Sequence, residues 1–307
     1  MTPPLLAVGG ALALDALVGE PPQRVHPVAW FGRLVPEREW RRPRAAGLCI
    51  AIVFPLAAAA SVGGVVLAAG RFGPLAAAVT GAVALFVTTS LRRLLLTARR
   101  VAARSDIRPD DARRELRALA GRDASTLSPA EVRSAAVESI AENLADGLVG
   151  PLLWYALPAA AAAAVGWGPV VAVAAGTAGA AWAKAVNTLD SMLGYRSVPA
   201  GWAVARLDDA VMWVPARAGA VLLAAVAAEP GAPGRARRWL SGVSSPNSGW
   251  PMGTLAAVLG VRLEKPGAYV LNPGAPLPTV GDARRAVRRV GVAGLAAYLL
   301  AGVIAWL

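Results

Sequence analysis

Long apolar runs separated by arginine-rich polar stretches set the layout of this chain. The first run, Pro3 to Val18, contains Asp15, is of marginal length for a bilayer crossing and has no basic segment before it. It therefore predicts a retained membrane anchor rather than a cleaved leader. Gly19 to Arg44 is polar and carries six arginines. Ala45 to Gly70 and Pro74 to Ser90 are apolar and joined by Arg71-Phe72-Gly73, which predicts a membrane hairpin. Leu91 to Gly147 is the main polar insertion, with eleven arginines. It predicts an arginine-rich helix over Leu91 to Arg104, a short helix over Asp110 to Ala120, and a capped helix from Pro129 to about Leu148. The cap is legible in Ser128-Pro129-Ala130-Glu131, an N-cap serine, a proline at N1 and a glutamate at N3.

Leu148 to Ala164 and Pro169 to Val186 are again apolar, linked at Gly166-Trp167-Gly168. Beyond them the pattern predicts a polar loop over Asn187 to Asp209, a short apolar run over Val214 to Ala228, and a polar connection over Glu229 to Asn247. A short apolar helix over Trp250 to Val261 follows, then a Pro/Gly-rich loop over Leu263 to Gly281. A basic stretch, Asp282 to Arg289, leads into a final span over Val290 to Leu307.

Composition sharpens this picture. The 307 residues are 56% hydrophobic and only 16% charged, against about 25% charged in soluble domains. The mean hydropathy is +0.51. The expected fold is an all-α, polytopic integral membrane protein, one domain over residues 1–307, with cytoplasmic helical insertions of which about 91–147 is the largest. The net charge of +12 then belongs to loops facing the anionic cytoplasmic leaflet rather than to a nucleic-acid surface. Residues 19–44 and 91–147 hold seventeen basic residues, whereas the link between them holds only Arg71. Counting onward, a full crossing at 214–228 would place the nine basic residues of 229–289 outside. Short paired segments at 214–228 and 250–261 that return the chain to the cytoplasm avoid this and are the preferred reading; the alternative is that 214–228 lies buried without crossing. One cysteine and one histidine exclude a disulfide scaffold, cysteine zinc sites and a histidine metal cluster.

Acidic residues are scarce, so their placement informs. Glu138, Glu142 and Asp146 recur at i, i+4, i+8 beside Asn143, placing three carboxylates on one helical face. Such like-charge neighbours destabilise a helix unless arginines or a divalent cation compensate, or the face is simply solvated. Asn187 through Asp190 and Ser191 leaves an apolar helix at a membrane boundary. Arg206-Leu207-Asp208-Asp209 followed by Pro215-Ala216-Arg217 has the makings of a magnesium–phosphate site, or of a helix cap with a surface ion pair. Ser244 to Pro251, with Asn247, is a turn before a helix start, which suits an anion or is only a turn. His26-Pro27-Val28 and Arg122-Asp123 are ordinary by themselves. No standard nucleotide-loop or hydrolase motif is present.

Taken in order, these strings resemble one family, the CobD or CbiB proteins of cobalamin biosynthesis, adenosylcobinamide-phosphate synthases. The matching pieces are Asp15 through Gly19-Glu20-Pro21 to His26-Pro27-Val28, Gly121-Arg122-Asp123, and Ala136-Val137-Glu138-Ser139 through Glu142-Asn143 and Asp146-Gly147 to Pro151-Leu152. Val186-Asn187-Thr188-Leu189-Asp190-Ser191-Met192, Gly194-Tyr195, Ala205-Arg206-Leu207-Asp208-Asp209 and Pro215-Ala216-Arg217 follow. Ser245-Pro246-Asn247-Ser248-Gly249 and Leu259-Gly260-Val261-Arg262-Leu263 complete the set. The chain departs from the pattern at Met212, where the family usually carries asparagine, and over Glu264 to Tyr269, where it is glycine-rich.

The resemblance implies an acid–amine ligase at the cytoplasmic face of the bacterial inner membrane. It would join the free propionate of adenosylcobyric acid to aminopropanol or its phosphate, with ATP and Mg²⁺ as expected cofactors. Implied partners are the corrinoid, a small amino alcohol, the bilayer and other membrane-associated enzymes of the corrinoid nucleotide loop. Under it, Glu138, Glu142, Asp146, Asp190 and His26 are candidate catalytic residues. Arg122, Asp123, Asn143, Asn187, Ser191, Arg206, Asp208, Asp209, Arg217 and Asn247 are candidate substrate or ATP contacts. Glu142, Asp146, Asp190, Asp208 and Asp209 are candidate magnesium ligands. Two rivals are an intramembrane magnesium-dependent prenyltransferase-like enzyme, which usually shows matched Asp-rich repeats, and a corrinoid transporter or accessory protein, which usually shows an inverted repeat. Neither repeat is visible.

Overall fold

The structure, a computed structural model, describes residues 2–22, 24–35, 43–121, 123–194 and 198–307. The described chain is almost wholly helical. It contains α1 (Pro3–Leu17), α2 (Pro27–Arg33), α3 (Arg44–Ala69), α4 (Pro74–Thr88), α5 (Arg92–Arg104), α6 (Pro109–Leu116) and α7 (Pro129–Leu144). After a π-helical turn at Ala145–Val149 come α8 (Gly150–Ala164), α9 (Pro169–Leu193), α10 (Gly201–Val211), α11 (Trp213–Val226), α12 (Ala232–Ala236), α13 (Gly249–Leu259) and α14 (Val280–Trp306). Five helical stretches among the described residues are long and apolar enough to cross a membrane: Arg44–Gly70, Pro74–Arg104, Pro129–Ala164, Pro169–Leu193 and Val280–Trp306. A sixth is added if Gly201–Val211 and Trp213–Val226 count as one broken span. The chain is thus an all-α polytopic membrane protein.

The chain forms two compact units. The first comprises Met1–Ser90, Asp146–Met212 and Ala297–Leu307. Its centre is α9, which packs against α8, α3, α4 and α10, while α1 lies on α4. Small residues make these approaches possible where lipid supplies no hydrophobic drive between helices. A Cβ at Gly176 would stand 2.8 Å from the Tyr155 carbonyl oxygen, and one at Gly179 would collide with that of Trp154. α1 is too short to span by itself. It buries Ala7, Val8, Ala11 and Asp15.

The second unit comprises Leu91–Ala145 and Trp213–Ala296. Val101, Ala112, Leu116, Val132 and Ala135 join α5, α6 and α7 in one apolar cluster. α13 packs on α11, α12 and α7, so the short apolar runs at 214–228 and 250–261 are neighbours in space. The cap of α7 is present in full: Glu131 N donates to Ser128 Oγ at 3.3 Å, and Ser128 N donates to Glu131 Oε2 at 2.7 Å.

The elements differ from the pattern reading at several points: α10 occupies the end of the stretch expected as the 187–209 loop, and α12 lies within the 229–247 connection. α9 continues to Leu193, so Asn187 to Leu193 is helix rather than loop. The hydroxyls there fold back on the helix: Thr188 Oγ1 donates to Lys184 O at 2.7 Å and Ser191 Oγ to Asn187 O at 2.9 Å. Their polarity is absorbed by the backbone without ending the helix. The 263–281 loop contains an antiparallel hairpin, β1 (Leu263–Lys265) and β2 (Tyr269–Leu271), with Leu263 opposite Leu271 and both buried. Its turn uses Gly267 at φ +74°. α6 ends at Leu116, four residues before the predicted end.

Candidate active site

The predicted residues fall into two groups, one in each unit. In the first unit the C-terminal end of α9 carries Asn187, Asp190 and Ser191. Asp190 is half-buried and folds over the helix end, where any side chain at Gly194 would collide with its carboxylate. It lies near enough to Asp209 for the two negative charges to repel. Asp209, on α10, accepts a hydrogen bond from Arg206 at 3.1 Å. Asp208, one residue earlier, is buried, on the other side of α10 from exposed Arg206. This arrangement gives two neighbouring carboxylates and one guanidinium, enough to meet a phosphate-bound cation and its phosphate.

Elsewhere on α9, on a face turned away from Asp190, a pocket opens. Pro27, Val28 and Phe31 of α2, Thr88 of α4, and Lys184 and Thr188 of α9 line it. Lys184 is attracted by Asp146, in the π-helical turn, and by Glu20. π-turns recur at functional sites because they re-aim one side chain out of helical register. His26 caps α2, its Nδ1 accepting from Val28 N at 3.2 Å.

Lys184 was not among the predicted site residues. A signal for it exists in the sequence: 29 of the 31 basic residues are arginine, and the one basic residue in the long apolar run Pro169 to Val186 is a lysine. A lysine there is a compact charge that can change protonation, which arginine does not do.

In the second unit Glu138 is fully buried and fully engaged. Ser134 Oγ donates to its Oε1 at 2.9 Å and Tyr269 OH to its Oε2 at 2.6 Å. Ser134 Oγ in turn accepts from Glu264 N at 2.8 Å. Glu138 therefore ties α7 to the hairpin. Glu142 and Asn143 are half-buried, and Asn143 Nδ2 donates back to Ser139 O at 2.9 Å. Asp123 is exposed in a local turn; the backbone N–H of Ser125 at 2.9 Å, and then the Ser125 hydroxyl, hold its carboxyl below the usual carboxylate range. Arg122 lies outside the described residues.

The Arg217 guanidinium lies 4.1 Å from the Trp213 ring centroid and 5.1 Å from that of Trp250. It donates to Asn247 Oδ1 at 3.0 Å and to Trp213 O at 2.8 Å. The turn is closed by Ser245 Oγ, which accepts from Asn247 N at 3.2 Å. Arg217 and Asn247, read from separate stretches of the sequence, are thus in direct contact. The two tryptophans that fix the arginine plane carried no pattern that singled them out. Among the described residues no three His, Cys, Asp or Glu side chains gather as a metal cluster.

Fold and site define a polytopic α-helical membrane protein whose polar groups cluster at helix ends. The comparisons narrow this class. The family model described as CobD/Cbib protein matches residues 8–296. The chain is 33% identical over 310 residues to the probable cobalamin biosynthesis protein CobD of Methanothrix thermoacetophila, covering 96% of this chain and 94% of that one. It is 38% identical over 309 residues to the cobalamin biosynthesis protein CobD of Mycobacterium tuberculosis, covering 92% and 90%. With that of Klebsiella pneumoniae it shares 35% over 333 residues, covering 99% and 98%. No solved structure shows a significant match. The chain belongs to the CobD/CbiB family, and its role lies in cobalamin biosynthesis.

Proposed function

We propose that the chain is an ATP-dependent acid–amine ligase that joins the free propionate of adenosylcobyric acid to aminopropanol or aminopropanol phosphate, at the cytoplasmic face of the bacterial inner membrane. The observation that carries this reading is the closeness of Asp190 to Asp209, itself bonded to Arg206, at the end of α9. A free carboxylate is a poor acyl donor. The economical route transfers the γ-phosphoryl group to the carboxylate oxygen, releasing ADP. The amine nitrogen then attacks the acyl carbon, the C–O bond to phosphate breaks, and the amine loses a proton.

The chain's own groups divide this work. Arg206 neutralises charge on a transferring phosphoryl group. One carboxylate of the Asp190 group accepts the proton of the attacking amine. Asn187 and Ser191 orient substrate oxygens on the same helix end, and His26 is a second acid–base candidate. Two carboxylates suit a Mg²⁺ ion carried in with phosphates, a mode that needs only one or two protein carboxylates, and not an ion caged by protein alone. Asp190 and Asp209 would hold it, and it would supply charge neutralisation on the phosphates. In the second unit, Arg217 with Asn247 offers a rigid anion contact. The buried Glu138 serves to position the hairpin rather than to touch substrate.

The test is turnover by the detergent-solubilised full chain with adenosylcobyric acid, ATP, Mg²⁺ and either amine, read by mass spectrometry. The expected result is a new amide with ADP release, absent in Asp190→Ala and Glu142→Ala variants that still insert in the membrane. Folded, corrinoid-binding protein that yields no product with either amine overturns the ligase reading in favour of a transporter or accessory role. Normal turnover by the Asp190 variant overturns the residue assignment alone.

A further inference from the structure

Within the second unit, α5 and the N-terminal part of α14 touch where Leu95 meets Gly291. A Cβ at Gly291 would lie 3.2 Å from Leu95 Cδ1. Helical spacing then decides what borders this seam. Arg92 and Arg99 stand three before and four after Leu95, on its face of α5. Arg288 and Arg284 stand three and seven before Gly291, on its face of α14. All four are exposed.

Carboxylates nearby are already committed. Glu115 accepts from Arg104 at 2.5 Å and lies 3.6 Å from Arg100, and Asp282 pairs with Arg285. Among the described residues no ion pair uses Arg99, Arg284 or Arg288. The seam is therefore a row of guanidiniums in excess of local negative charge.

Its polarity changes within one helical turn. Past Arg288 on α14 come Val292 and Leu295, 52% and 48% exposed, while on α5 Leu96, 40% exposed, stands between Arg92 and Arg99. Both helices belong to stretches long and apolar enough to cross a bilayer. A surface that passes from exposed arginine to exposed aliphatic over one turn matches the boundary between headgroups and hydrocarbon. Guanidinium forks fit phosphate oxygens in pairs.

We infer that the Leu95–Gly291 seam, bordered by Arg99, Arg284 and Arg288, is a docking site for the phosphate of an anionic phospholipid. The acyl chains of that lipid lie along Val292 and Leu295. The site would anchor the second unit to the charged leaflet, and its occupancy is independent of the ligase reading.

The test is native mass spectrometry of the full chain released from detergent and titrated with phosphatidylglycerol or phosphatidylcholine. Wild type should retain phosphatidylglycerol preferentially. In R99Q/R284Q/R288Q that preference should fall about five-fold per arginine removed, since each basic residue near the surface contributes roughly 1 kcal/mol. Phosphatidylcholine retention should not change. Single R288Q should show a partial loss and covers the event that the triple variant fails to fold. R237Q/R238Q removes exposed charge elsewhere in the same unit and should keep the preference. Undiminished phosphatidylglycerol retention in R288Q, an equal loss in R237Q/R238Q, or displacement of the lipid by inorganic phosphate or ATP would each overturn the assignment.

Discussion

Glu138 and Asp190 come from the two acidic strings that most strongly characterise this chain, yet their surroundings are opposite. Glu138 is sealed among α7, α13 and the hairpin, with both oxygens accepting from hydroxyl groups. Asp190 stays half-buried at a helix end, and its electrostatic neighbour is another carboxylate. A buried carboxylate with all its bonds made is an element of structure; removing it leaves orphaned donors. A carboxylate held near a like charge is costly to the fold and useful only to chemistry or to a cation.

The comparison can be broken most sharply at Asp190. Asp190→Asn should lower turnover by about 100-fold or more, the usual yield of a proton-transfer group, with a midpoint of thermal unfolding in detergent that stays the same or rises. A drop in stability with little loss of turnover would make Asp190 resemble Glu138. The complementary change, Glu138→Ala, should cost about 3 kcal/mol in an unfolding titration in mixed micelles, since Ser134 and Tyr269 both lose a buried acceptor. Tyr269→Phe should cost less, about 1 kcal/mol, and the double variant should cost less than the sum of the two singles.

Arg217 sharpens the comparison from the cationic side. Arg217→Lys keeps the charge but loses the planar stack on Trp213 and Trp250 and the fixed donor to Asn247. About 1–2 kcal/mol of stability should go with it, measured by the same titration. The smallest effect should come from Ser128→Ala. It removes half of the capping box of α7 and should cost about 1 kcal/mol without altering the KM for either substrate. A change in KM there would mean that the start of α7 is coupled to the site.

Most of the helical layout was legible because spans announce themselves by length and apolarity, and because the cap at Ser128 has a local chemical signature. The end of α9 was not. Asn187, Thr188 and Ser191 read as loop residues, and only the return bonds of the hydroxyls to Lys184 O and Asn187 O explain their place in a helix. The hairpin was hidden by its Pro and Gly content, since three-residue strands carry too little alternation to detect. For the candidate site, the acidic spacing singled out α7 and α9 but could not separate Glu138 from Asp190. That distinction depends on Tyr269, which lies 131 residues away along the chain. Lys184 escaped notice because a single lysine carries no motif.

The scarcity of lysine has a practical consequence. Lys184 and Lys265 are the only two in the chain, one lining the pocket against α9 and the other exposed in the hairpin. A reagent selective for primary amines therefore meets, apart from the chain's amino terminus, one reporter and one internal standard. The ratio of the two labelled peptides becomes an occupancy gauge for the pocket. It can be read on unmodified protein in its native membrane, with no radiolabel and no engineered probe.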